Sequence, residues 1–250
     1  MDNYIKELIY DGTFEGLLTC IFYAYPMKEQ VIITNSKNYI PNMLNTITNI
    51  KTESDKCDRV YKSILSKLNS TVLSNIYLTY LSEIDSCENT ILRYLKLCYK
   101  YGTSINLAKN NDTIILIDKY CQKVNIEAER FRQFVRFKEI GPLSFYAKIE
   151  PDHNVLPLII DHFTERFSDQ NFIIHDIKRE LALVYNKKSS FITYLNKEES
   201  KSILSLSKDN TFEDLFKVFY KSTTIKERIN LKCRDNFMPR RYQKNLTELW

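Results

Sequence analysis

The stretch SFYAKIEPDHNVLPLIIDHF, residues 144–163, changes its period halfway along. Up to Ile149 the side chains alternate, with Phe145, Ala147 and Ile149 on one side and Tyr146 and Lys148 on the other, which is the period of a strand. Glu150, Pro151, Asp152, His153 and Asn154 form a connection. From there Leu158, Ile159, Phe163 and Phe167 recur at helical spacing, with Pro157 in the first turn, where its missing N–H does no harm. Asn154 is expected to cap that helix. Two more β-prone runs follow at 171–176 and 181–185, and residues 191–195 read as a strand or a short helix. Strands that adjoin strands, with helices grouped around them, imply an α+β fold: a small, mainly antiparallel sheet flanked by helices.

Upstream the pattern differs. Residues 7–10 and 31–34 read as short strands around a helix from Phe14 to about Ala24, capped by Thr13. Gly16 inside that helix is expected to serve close packing. From about 55 to 137 the apolar spacing is helical, with Gly102 as a C-cap. The expected organisation is a single domain, 1–250, with a helical subdomain at about 55–125. Downstream, residues 212–220 read as a helix with Phe212, Leu215, Phe216 and Phe219 inward, and 225–234 as a basic helix.

Composition narrows the function classes. None of the six cysteines forms CxxC, and most sit in apolar helical runs, so buried reduced thiols are expected. The three histidines, His153, His162 and His175, have no HxH, HxxxH or HExxH spacing, and no metal site is expected. GxxxxGK[ST], GxGxxG, GxSxG and CxxxCxxC are all absent, so no cofactor is expected. No secretory run and no apolar window of membrane-spanning length appears, which points to the cytoplasm.

The charge is +5 overall, but residues 217–250 hold nine Lys and Arg against three Asp and Glu. Cations concentrated in one region mark a polyanion partner, or else a solvated helix face. Two blocks interleave cations with rings: EAERFRQFVRFKEIG at 127–141 and MPRRYQKNLTELW at 238–250. Arg132, Arg136, Lys138, Arg240, Arg241, Tyr242 and Lys244 are therefore the candidate nucleic-acid contacts, expected on one continuous surface, while Phe131 and Phe134 are assigned to the core. The rival reading has the C-terminal arginines tying the terminus to acids of the body. His153, flanked by Glu150 and Asp152, is a candidate acid–base group or a residue that closes a turn.

The blocks YDGTFEGLL, ERFRQFVRF, YAKIEPDHNVLPLIIDHFTERF and MPRRYQKNLTE occur in that order and resemble a bacterial family of DNA repair or DNA metabolism proteins whose shared domain has no assigned function. The resemblance implies a gene neighbour encoding a radical SAM protein of DNA modification or repair, and related domains fused to uracil-DNA-glycosylase-like domains. It implies DNA and that radical SAM protein as partners. One departure stands out: Gln243 occupies the position where the family usually has Trp after the Tyr. Three functions follow: a DNA-binding accessory protein, a small nucleic-acid-processing enzyme using His153, or a structural subunit binding an acidic protein surface.

Overall fold

A computed structural model describes residues 5–27, 29–42, 45–205, 211–243 and 245–246. The chain divides into two compact units, Met1–Asn125 and Ile126–Trp250.

The first unit begins with β1 (Ile5–Tyr10), α1 (Phe14–Ala24), β2 (Val31–Asn35) and β3 (Asn45–Asn49). The strands form an all-parallel sheet in the order β2-β1-β3. Parallel neighbours need a crossover, and α1 supplies one between β1 and β2. The central strand is correspondingly buried from Glu7 to Tyr10. Glu7 is inside because Thr34 Oγ1 and Asn45 Nδ2, from the two flanking strands, donate to its carboxylate at 2.7 and 2.8 Å. Thr13 caps α1 as expected, its Oγ1 accepting from Gly16 N at 3.0 Å. Gly16 serves close packing: a Cβ there would collide with the Asp11 carboxylate and with Thr52. That carboxylate accepts from Thr13 N, Thr13 Oγ1 and Thr52 Oγ1. The helices α2 (Ser54–Lys67), α3 (Ser70–Leu81) and α4 (Cys87–Tyr101) and the first part of α5 (Asp112–Phe134) complete the unit. Gly102, at φ +75°, ends α4 and donates to Cys98 O. Five cysteines are buried free thiols; the sixth, Cys233, is exposed.

The second unit holds β4 (Lys138–Gly141), β5 (Ser144–Ile149), α6 (Leu156–Arg166), β6 (Asn171–Asp176), β7 (Leu181–Asn186), β8 (Ser190–Tyr194), α7 (Lys197–Ser205), α8 (Thr211–Thr223), α9 (Leu231–Phe237) and α10 (Arg240–Gln243). The five strands run in sequence order across one sheet. Here the expectation of one small, mainly antiparallel sheet is corrected. This sheet is mixed, because β5 and β6 are parallel, and the first unit's sheet is all parallel. The reason lies in the connection: α6 runs between β5 and β6, and parallel neighbours need a long crossover of this kind rather than a tight hairpin. Ala147, Ile149, Phe172, Ile174 and Leu183 meet Phe131, Leu156, Ile159 and Phe163 in one core. On the opposite face the Tyr146 hydroxyl bridges His175 Nδ1 at 2.8 Å and Ser200 Oγ of α7 at 2.7 Å.

Three local expectations are corrected. Asn154 does not cap α6: Val155 holds the cap position, and Asn154 Oδ1 is buried without a partner in the chain. The basic helix expected at 225–234 is a short turn at Lys226–Arg228 followed by α9, whose cap is Asn230 accepting from Cys233 N. Leu215, Phe216 and Phe219 of α8 are exposed rather than inward. The side chain of Phe212 lies outside what is described.

Candidate functional site

Position 127 falls among Val124, Ala128 and Phe131, all buried at helical spacing, so α5 drives a carboxylate into the interior. Glu127 is only 2% exposed. A buried carboxylate must be met by donors, and four side-chain and main-chain groups converge on it. Asp152 N donates at 3.0 Å and His153 N at 2.8 Å. The Tyr242 hydroxyl donates at 2.6 Å, and the Arg241 guanidinium lies at 3.9 Å. Arg241 also pairs with the Asp152 carboxylate and donates to the Tyr242 hydroxyl at 2.7 Å.

The same loop is held from its other side. Arg179 donates to Pro151 O at 3.1 Å, to Asp152 O at 2.7 Å and to Asp176 Oδ2 at 2.8 Å. Lys178 Nζ reaches Asp152 O at 3.3 Å. The loop at 151–153 thus gives two carbonyls to cations and two amides to Glu127. Burial raises the Asp176 pKa, against the pull of Arg179. Burial and then Glu127 push the Tyr242 phenol up to about 12. Burial works against the Arg241 charge, but the Tyr242 hydroxyl and the Asp152 and Glu127 carboxylates raise its pKa overall.

This arrangement places the residues singled out in the sequence. Arg241, Tyr242, Asp152 and His153 come together around Glu127. Tyr242 is 4% exposed, with Phe131 edge-on at 5.1 Å and the Arg241 guanidinium 4.7 Å over its ring, so stacking on a base would require the cluster to open. Arg240 points elsewhere, pairing with Asp235 at 2.7 Å. Gln243 is buried, donating to Asp235 Oδ1 and Met238 O. Glu150 is half-buried and stands just before the loop. Lys244 and Trp250 lie outside the described residues.

The other basic block lies open. Arg132, in the last turn of α5, and Arg136, in the segment that follows it, line a groove of about 760 Å³ with His162 and Arg166 of α6. Phe137, Phe163 and Phe167 provide apolar walls. Glu129 and Glu165 are its acids, so three arginines and a histidine face two carboxylates. Arg132 is anchored by a bond to Leu158 O at 2.8 Å and by Glu129, yet its Nε and His162 Nε2 are buried with no partner in the chain. Arg136 Nη1 reaches Gln133 O at 2.9 Å. Lys138 opens β4 and does not line the groove.

Sequence reasoning missed Glu127, Arg179, His162 and Arg166. For Glu127 the signal was present, an acid at a core position of an apolar helical face; Arg179 pairs locally with Asp176, but the loop carbonyls it holds, and the arginines that share a groove with His162 and Arg166, lie far away in sequence. Among the described residues no group of three or more His, Cys, Asp or Glu is placed to hold a metal ion. No helix among them is long and apolar enough to cross a membrane.

A family model described as a domain of unknown function, DUF4130, matches residues 85–248, and the chain belongs to that family. No curated protein matches the chain.

Proposed function

We propose that this DUF4130 protein is a cytoplasmic accessory factor of DNA repair or DNA metabolism that binds DNA and acts with a radical SAM partner. The partner is inferred from the resemblance of its ordered sequence blocks. The observation that carries DNA binding is the groove between α5 and α6, where Arg132, Arg136, Arg166 and His162 face only two carboxylates, Glu129 and Glu165, on one concave surface. Guanidinium groups bind phosphate as bidentate donors, and the phenylalanine walls add an apolar surface for sugar or base.

Duplex affinity measured from low to physiological salt tests the reading. Each phosphate contact contributes about 0.9 to the slope of log affinity against log salt. Arg136→Ala/Arg166→Ala is expected to lower the slope by about two units on every duplex sequence. An unchanged slope overturns the groove as the DNA surface. Purification of the tagged chain from its native cells tests the partnership, with a radical SAM protein expected to be retained; its absence removes that half of the reading.

A further inference from the structure

A second groove, of about 680 Å³, opens in the first unit between α1, α2 and α4. That volume is in the range of small-molecule sites, about 300–1,000 Å³. Ile21, Val60 and Leu95 form its apolar base, and the rings of Phe22, Tyr25 and Tyr99 stand around it. Tyr25 and Tyr99 meet edge to face at 5.4 Å. Arg59, Lys62 and Lys67 of α2 add cations to its lining. Lys62 is shared with Asp58 at 4.0 Å, so the charge offered to the groove rests mainly on Arg59 and Lys67. No Asp or Glu lines the groove among the described residues.

This combination selects a ligand class. An apolar, ring-lined base takes a flat body, and cations without acids take an anion. The hydroxyls decide between a heteroaromatic ring and an acyl chain. Ser63 Oγ and Tyr99 Oη are 2.8 Å apart, so one donates to the other and the acceptor's own proton is left for a third group. Methylene groups laid over these hydroxyls would desolvate them without return, whereas a ring carbonyl or ring nitrogen accepts. Arg59, stacked 4.9 Å over Phe22, already shows the cation–ring contact that a bound base would extend.

We propose that the groove between α1, α2 and α4 binds a nucleoside monophosphate, with the base among Phe22, Tyr25 and Tyr99 and the phosphate on Arg59 and Lys67. The proposal does not rest on the DNA reading, which uses a different groove in the other unit. Calorimetric titration of the full chain with dTMP and, separately, with decanoate tests it. Saturable dTMP binding is expected, about tenfold weaker in Arg59→Ala/Lys67→Ala, the loss of charge-assisted bonds to one phosphate. Ser63→Trp, which fills the groove, is expected to abolish binding. Arg59 and Lys67 are exposed, so the double variant remains informative if the tryptophan variant does not fold. The proposal is overturned by decanoate binding without dTMP binding, by no saturable dTMP binding, or by dTMP affinity unchanged in the double variant.

Discussion

Two blocks of nearly the same composition meet opposite fates in the second unit. In ERFRQFVRFK, residues 129–138, the rings turn in and Arg132 and Arg136 line an open groove with Arg166. In MPRRYQ, residues 238–243, the ring turns in as well, but Arg241 follows it to Glu127 and Asp152. The difference is the presence of a buried acid. A cation beside an unneutralised interior carboxylate is drawn to it, because leaving that carboxylate unpaired costs several kcal/mol. A cation facing a groove with fewer acids than arginines retains capacity for an outside anion. Interleaved charge and aromatics therefore do not by themselves mark a nucleic-acid surface; what lies beneath them decides.

The most severe way to break this contrast is to remove the acid. Glu127→Ala strips an acceptor from Tyr242, Arg241 and the amides of Asp152 and His153 together. A loss of about 3–5 kcal/mol in urea unfolding is expected, the usual cost of breaking a buried charged cluster. A loss below about 1 kcal/mol would mean that the cluster is dispensable and that the C-terminal arginine is free to serve elsewhere.

A second test concerns the far face of the same sheet. Burial lowers the His175 pKa, opposed by the Leu195 backbone and Asp176. A depressed folded pKa means that the folded state holds the neutral ring. Its stabilising share is therefore fully present above the unfolded value of about 6.5 and is lost as pH falls through the lower folded value. The urea midpoint is expected to fall as pH drops from about 6.5 towards the lower folded value and to level off below it, and His175→Gln to flatten the fall in this window. An equal fall in the variant assigns the dependence to other groups.

The smallest expected effect is the sharpest comparison. Arg240 has 83% of its side chain exposed and pairs with Asp235. Arg240→Ala should cost at most about 0.5 kcal/mol and leave the salt slope of DNA binding unchanged. A lower slope would join the C-terminal block to the proposed DNA surface and dissolve the contrast between the two blocks.

Some of this was legible in the sequence. Runs of β-prone residues carried β1, β2, β6 and β7, alternation carried β5, and helical spacing carried α1 and α6. The Thr13 cap and the Gly102 terminator were readable from single residue types. Strand β3, NTITN, was not, since its Asn and Thr residues carry no apolar alternation and it is held by pairing to β1. Strand direction was not either: alternation is the same in parallel and antiparallel pairs, and only the path of α6 between β5 and β6 settles it. Likewise the helix from Phe14 announces itself, whereas the exposure of the α8 phenylalanines depends on what packs against them.

The sequence alone determined which residues are cationic, which rings accompany them, and that an acid sits at position 127 within an apolar face. Tertiary structure decided the rest. Coulomb attraction and desolvation depend on distances between residues as far apart as Glu127 and Tyr242, 115 positions along the chain. The same Arg–aromatic pattern is a clamp where the fold brings it to that acid and a groove where it does not.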